Sequence, residues 1–182
     1  IYTYRLDLDR AELAPSDPPY LTTPPASGPR HLTFSPDGRS AYVINELANT
    51  VAAYGYDAAR GTLTPRQVLS TLPAGFSGKN TAAEIAVHPN GRFLYASNRG
   101  HDSIAVFPRD PGSGQLGAPE LFPAGGRTPR GFALSADGLW LVCSHQDSNT
   151  LCSFRIEPAT GRLTRIEGAV PVPTPIGVVF HS

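Results

Sequence analysis

The chain contains no methionine, one tryptophan and only two cysteines among its 182 residues. Two cysteines are too few for a disulfide scaffold and cannot alone supply a cysteine-rich metal centre. Cys143 and Cys152 are expected on neighbouring strands of one hairpin, as small half-buried hydrophobes. A disulfide between them is the alternative. Neither sign of charge is in excess, with 15 basic against 15 acidic residues. That removes the electrostatic case for nucleic acid or an anionic membrane surface as a partner. No apolar run approaches the roughly 20 residues of a membrane span. No secretory leader pattern is visible. The first residues, Ile1–Leu6, already read as a strand, so the natural start is expected to lie outside this sequence. No stretch carries a helical hydrophobic period of useful length.

What the chain has in quantity is glycine (18) and proline (19), about a fifth of its length. They separate many short β-branched and aromatic runs, which reads as an all-β fold with frequent turns. One pattern occurs three times: "LTFSPDGRSAYVIN" (32–45), "IAVHPNGRFLYASN" (85–98) and "FALSADGLWLVCSH" (132–145). Its turn glycines, Gly38, Gly91 and Gly138, are spaced by 53 and 47 residues. A strand-rich repeat of that length predicts a β-propeller of four-stranded antiparallel blades. In the first blade the strands are expected at about 31–35, 40–45, 50–57 and 66–72. The Asp-Gly and Asn-Gly turns link strands one and two. The tracts 58–63, 111–116 and 158–163 link strands three and four, where glycine permits positive φ.

The blades are expected at 28–80, 81–127 and 128–174. Residues 1–27 supply two strands of an incomplete blade, with 1–7 as its third strand and 20–24 as its fourth. Residues 175–182 supply the first strand of a closing blade. So few blades make too small a ring, and the chain is expected to be about half of a larger propeller. The alternative is a half-propeller that self-associates through its exposed blade edges.

The start of strand one and the end of strand two share one edge of each hairpin. Arg30 and His31 are therefore expected beside Asn45 and Glu46. Glu84 is expected beside Asn98, Arg99 and His101, and Arg130 beside His145 and Gln146. First strands line the channel of a propeller, so these residues converge on one mouth, a usual place for a ligand. Each also has a structural reading: His31 as a strand cap, Glu46 and Arg99 as loop charges, Arg30 and Arg130 as blade-to-blade ties. A carboxylate at Glu84, in a narrow channel, needs partners. Lys79 reads as a solvated loop charge. His88 falls on the opposite rim, and it and His181 are left aside.

The elements "GPRHLTFSPDGRSAYVINEL", "AAEIAVHPNGRFLYASNRGHDSIAVF" and "TPRGFALSADG" resemble the seven-bladed propeller lactonases over nearly the whole chain. That family includes the bacterial propeller-type 6-phosphogluconolactonases and, as a fungal branch, the 3-carboxy-cis,cis-muconate cyclases. The resemblance implies that the chain is the C-terminal half of such a propeller. It implies catalytic roles for His31, Glu84 and Arg130, with Arg99 as a further site residue. A small anionic lactone or muconate is the implied partner, and a cytoplasmic location follows from the resemblance and the low cysteine content.

Lactone hydrolysis needs an activated water, a stabilised oxyanion and a proton for the leaving alkoxide. His31 or Glu84 is expected as the base. Arg30, Arg99 and Arg130 are expected to hold the anionic substrate and the developing charge, with Glu46 and His101 completing the substrate-binding set. No metal and no cofactor is required, and no Gly-x-Ser-x-Gly elbow is present to supply a serine nucleophile. Two other readings stand beside hydrolysis: a lactonising carboxymuconate cycloisomerase, and a binding propeller without turnover.

Overall fold

Alternation of apolar residues between closely spaced turns leaves this chain only strands to form. The computed structural model describes residues 1–181 and is all-β. Among the described residues no helix is long and apolar enough to cross a membrane. Three antiparallel sheets carry four consecutive strands each. The first comprises β3 (Pro29–Phe34), β4 (Ser40–Asn45), β5 (Thr50–Asp57) and β6 (Thr62–Ser70). The second comprises β7 (Thr81–Val87), β8 (Phe93–Arg99), β9 (Ser103–Pro108) and β10 (Glu120–Pro123). The third comprises β11 (Pro129–Leu134), β12 (Trp140–His145), β13 (Thr150–Ile156) and β14 (Leu163–Arg165), with β15 (Val170–Pro171) also paired to β13. A two-stranded sheet, β1 (Tyr2–Asp7) with β2 (Glu12–Tyr20), precedes them. These sheets are β-propeller blades set face to face.

The first-to-second-strand turns are built alike. Gly38, Gly91 and Gly138 take φ of +67°, +71° and +71°, a region open to glycine at little cost. In two of them a serine hydroxyl donates to the turn aspartate, Ser35 to Asp37 and Ser135 to Asp137, each at 2.5 Å. Apolar faces then meet between blades. Tyr42, Ile44 and Val51 pack with Leu94 and Phe107 between the first two blades. Tyr95 and Ile104 pack with Phe132, Leu141 and Phe154 between the next two. Each fully buried side chain of this size contributes about 1.5–3 kcal/mol. Polar latches cross the same interfaces. The Tyr42 hydroxyl donates to the Gly114 carbonyl (2.7 Å) and accepts from Arg109 Nε (2.6 Å). The Tyr95 hydroxyl donates to the Gly161 carbonyl (2.8 Å). These side chains hold the rim opposite the polar mouth.

Several sequence expectations are corrected. The strand paired with Tyr2–Asp7 is Glu12–Tyr20, and 20–24 mostly follows it as coil. Its three prolines and its acidic residues hide strand character in the sequence. The fourth strand of the first blade begins at Thr62, straight after the Gly61 turn, and ends at Ser70. Residues 176–181 lie outside any strand, and Ser182 lies outside the described residues. Cys143 and Cys152 do face each other across β12 and β13. They are fully buried rather than half-buried, and both are free thiols.

Candidate active site

Counting from the turn glycine of each blade brings the polar residues into register. His31, Glu84 and Gly131 occupy one equivalent position on the first strands. Arg30, Ala83 and Arg130 occupy the position before it. Glu46, Arg99 and Gln146 occupy one position at the ends of the second strands, Arg99 as the last residue of β8 and the other two just beyond β4 and β12. A β-bulge interrupts each first strand here, between Pro29 and His31, Ala82 and Ile85, and Pro129 and Gly131. A bulge adds a residue and re-aims the side chains around it, and bulges recur beside functional sites for that reason. The Glu84 N–H donates to Ser97 Oγ at 3.0 Å, and Ser144 Oγ donates to the Gly131 carbonyl at 2.9 Å. A serine on the second strand therefore supports the bulge in two blades.

The re-aimed side chains reach across to the next blade. His31 Nδ1 lies 2.8 Å from Glu84 Oε1. Arg30 Nη1 donates to the Ala83 carbonyl at 2.7 Å. Arg99 Nη2 donates to Glu46 Oε1 at 2.5 Å. Each contact spans 53 residues, one blade, and each joins equivalent positions. The other Glu46 oxygen stands 3.7 Å from Arg30 Nε, so one carboxylate lies between two guanidiniums. The backbone of Glu46 is fixed too: its N–H donates to the Gly28 carbonyl (2.7 Å) and its carbonyl accepts from Ala82 N–H (3.1 Å). Gly28 itself takes φ +63°, and a Cβ there would meet Leu47 at 2.7 Å.

Arg30 Nη1 is 3.1 and 3.2 Å from the two ring nitrogens of His31, so the guanidinium rests against the ring rather than on one nitrogen. The Glu84 carboxylate also accepts the Ile85 N–H at 3.1 Å, which fixes the oxygen that faces His31. Burial pulls the Arg30 guanidinium below its ordinary value, and repulsion from Arg99 adds to it. Glu84 opposes this, Arg130 acts with Arg99, and Glu46 opposes again. Arg30 remains a cation at any working pH. Together with the five groups that act on it or touch it, Arg30 forms one electrostatic cluster of three guanidiniums, two carboxylates and the His31 ring.

Two clefts open on this network. One, of about 190 Å³, is lined by Arg30, His31, Leu32 and Val43 among others. The other, of about 380 Å³, holds Arg99, Arg130 and Lys79. Of the residues expected on that edge, Gln146 lines the second cleft, while Asn45, Asn98 and His145 are buried; of the seven expected to catalyse or bind substrate, six are brought to the mouth: Arg30, His31, Glu46, Glu84, Arg99 and Arg130. His101 is not. Its Nδ1 pairs with Ser103 Oγ at 2.8 Å, and its ring meets Phe76 edge-on at 5.0 Å. These contacts tie the 71–80 loop to the second blade. Glu84 does not lie beside His101 as expected, because the bulge turns it toward His31. Among the described residues no group of three or more His, Cys, Asp or Glu side chains gathers closely enough to hold a metal ion.

Two features were not legible as site components. Lys79 is exposed as read, yet it faces the cleft of Arg99 and Arg130. Thr128, equivalent to Gly28, takes φ +60° although it is β-branched, a costly conformation. Its N–H donates to Asp102 Oδ1 (2.8 Å) and its hydroxyl to Asp147 Oδ2 (2.6 Å). Those bonds hold the loop that presents Arg130.

Comparison with known proteins agrees with this fold. The family model described as "Lactonase, 7-bladed beta-propeller" matches residues 1–180. A Bacillus subtilis protein named 6-phosphogluconolactonase is 40% identical over 156 residues, 86% of this chain and 45% of that protein. The structure titled Pseudomonas aeruginosa periplasmic gluconolactonase superposes with a TM-score of 0.87 at 39% identity, covering 94% of this chain and 48% of that one. A Lactobacillus plantarum protein superposes at 0.91 with 32% identity, covering 97% and 50%. The chain spans about half the length of the curated relatives it matches.

Proposed function

The chain belongs to the seven-bladed β-propeller lactonase family, and from that membership we propose that its protein hydrolyses a sugar lactone, 6-phosphogluconolactone to 6-phosphogluconate, with His31 and Glu84 as its base. The observation that carries this is the 2.8 Å contact between His31 Nδ1 and Glu84 Oε1 at the channel mouth, with the Arg30 guanidinium against the same ring.

With its Nδ1–H donated to Glu84, the His31 imidazole keeps its Nε2 lone pair as acceptor. A water bonded to Nε2 attacks the lactone carbonyl carbon, and its proton passes to Nε2. The carbonyl oxygen becomes an oxyanion, which Arg30 stabilises as a charged donor already in place. The ring C–O bond then breaks, the carboxylic acid forms, and the imidazolium returns its proton to the departing alkoxide. Glu84 stabilises the imidazolium while it lasts and fixes the orientation of the ring, the role of the third group in hydrolytic triads. Glu84 is well placed for this, since its side chain is 22% exposed against 42% for His31. Arg99 and Arg130 hold the anionic end of the substrate. A cytoplasmic site of action forms part of this reading and rests on the family resemblance and the low cysteine content.

The test is hydrolysis of 6-phosphogluconolactone and of gluconolactone by the full-length protein, corrected for spontaneous opening. Activity that falls 10²–10⁴-fold in His31→Ala supports the reading. Undiminished activity in that variant contradicts it.

A further inference from the structure

Two thiols face each other in the core of the third blade, and the lactonase reading uses neither. Cys143 on β12 and Cys152 on β13 are direct cross-strand partners. The Ile156 N–H donates to the Leu139 carbonyl at 2.9 Å. Bonded pairs recur at every second residue of an antiparallel ladder, so Cys143 and Cys152 are also such a pair. Its Cα atoms stand about 5.5 Å apart, inside the roughly 4.4–6.8 Å that a disulfide spans. Counted from the turn glycines, the same two places hold Val43 and Ala52 in the first blade and Ala96 and Ala105 in the second, all buried. Packing here asks only for two small apolar groups, which leaves the sulfurs to be explained by their chemistry.

The two sulfurs differ in surroundings. Arg165 Nη2 donates to Cys152 Sγ at 3.6 Å, and the same sulfur lies 3.6 Å from the Gly125 carbonyl. A Cβ at Gly125 would meet Arg165 Nε at 3.1 Å and Cys152 Sγ at 3.3 Å, so the glycine leaves room for both. A cation beside sulfur is the setting of reactive cysteines. Cys143 Sγ instead faces the Ser144 carbonyl at 4.0 Å. Burial pushes the Cys143 thiol up, and Cys152 and Glu84 add to it. Arg165 is exposed and lines a surface cleft of about 530 Å³ with Glu167 and Gly168. The fourth strand breaks there, since β14 ends at Arg165 and β15 begins only at Val170. A strand end held by few ladder bonds opens locally at low cost, which gives a small oxidant a path to Cys152 past the guanidinium.

We propose that Cys152 and Cys143 are a peroxide-reactive dithiol, Cys152 attacking and Cys143 resolving, that closes to a reversible disulfide across β12 and β13. The Cys152 sulfur attacks one oxygen of hydrogen peroxide. An S–O bond forms, the O–O bond breaks, and the thiol proton leaves with the hydroxide as water. The product is a sulfenic acid. The Cys143 sulfur then attacks the sulfenic sulfur, an S–S bond forms, the S–O bond breaks, and the Cys143 proton leaves with the hydroxide as a second water. The two sulfurs together lose two electrons, and the peroxide takes them. A dithiol reductant reverses the step by exchange. The pair thus protects the blade core: a lone buried sulfenic acid goes on to the irreversible sulfinic acid, whereas a partner one strand away stops it at the disulfide. This inference is independent of the lactonase reading.

The experiment treats the folded full-length protein with hydrogen peroxide, then alkylates it unfolded with iodoacetamide and digests it with trypsin for mass spectrometry. Both cysteines fall in one tryptic peptide, Gly131–Arg155. In wild type that peptide should become lighter by two hydrogens and take no alkyl group, and dithiothreitol should return both thiols. In Cys143→Ala, Cys152 should form a sulfenic acid that dimedone traps. In Cys152→Ala, Cys143 should react at least about tenfold more slowly. Arg165→Gln removes the charge and should slow closure severalfold. Alanine already fills both places in the second blade, so the cysteine variants keep a packing the fold accepts, and the wild-type arm needs no variant. After peroxide and then dithiothreitol, wild type should regain its melting temperature, while Cys143→Ala should not. Two thiols that survive peroxide in wild type while glutathione in the same tube is oxidised would overturn the proposal. So would disulfides between two chains in place of the internal one, or equal rates for the two single-cysteine variants.

Discussion

His31 and Glu84 stand 53 residues apart in sequence and 2.8 Å apart in space, at the same position of successive blades. Repetition of one strand–turn–strand unit therefore supplies both members of the pair. The blade interface brings them together, and a bulge in each first strand aims them. The Arg99–Glu46 contact follows the same rule one step further along the rim.

Glu46 tests whether that second pair positions the site. Replacing it with glutamine removes the charge between Arg30 and Arg99 while keeping the size. Substrate KM should rise about tenfold, as for one charge-assisted bond, with kcat changing by about twofold or less. Steady-state kinetics of Glu46→Gln on the full-length protein measure this. A fall confined to kcat would assign Glu46 to the chemical step instead.

The two interblade tyrosine latches should differ in strength. Tyr95→Phe removes one neutral hydrogen bond to the Gly161 carbonyl and should cost about 1 kcal/mol. Tyr42→Phe also strips an acceptor from the buried Arg109 guanidinium. It should cost more, about 1.5–3 kcal/mol. Urea denaturation of the two variants ranks them, and equal costs would refute the role given to Arg109.

His145 should make the fold acid-sensitive. It is fully buried, and among the described residues its ring nitrogens make no well-formed hydrogen bond, only approaches to the Ala124 and Thr150 backbone that do not offset the burial. Burial lowers its value from the ordinary 6.5, so the unfolded chain binds a proton that the folded chain refuses. This group's contribution is complete above pH 6.5 and is lost as pH falls toward its lowered folded value. The slope is about 1.4 kcal/mol per pH unit within that window. Denaturation of wild type and His145→Gln at pH 7.5, 6 and 5 gives the comparison. The stability gap between them should shift in favour of the variant as pH falls. A gap that stays constant would show that His145 does not titrate with unfolding.

Much of this was legible from the sequence, and the misses have physical causes. The repeated Asp-Gly and Asn-Gly turns located the hairpins, because glycine at positive φ leaves little choice of conformation. Reading both ends of each hairpin as one edge was enough to gather Arg30, His31, Glu46, Glu84, Arg99 and Arg130 on one rim. It did not give their partners. Pairing was read within each hairpin, which set Glu84 beside His101, whereas the bulge at Ala83–Glu84 turns the carboxylate to the neighbouring blade. No residue type marks such a bulge. His101 was misplaced for a related reason, since its partners Ser103 and Phe76 lie on a turn and a loop whose path the strand pattern does not define. Lys79 is solvated as its local composition implies; its place in a cleft with Arg99 and Arg130 is not legible, because those two charges come from other blades.

The most direct test of the central claim is a double-mutant cycle on kcat/KM for 6-phosphogluconolactone, using His31→Ala, Glu84→Gln and the pair together in the full-length protein. If the two residues act as one base, each single change should cost a large factor, about 10²–10⁴ for His31→Ala, and the double variant should be little worse than His31→Ala alone. Losses that multiply, or a single variant with wild-type activity, would contradict the account.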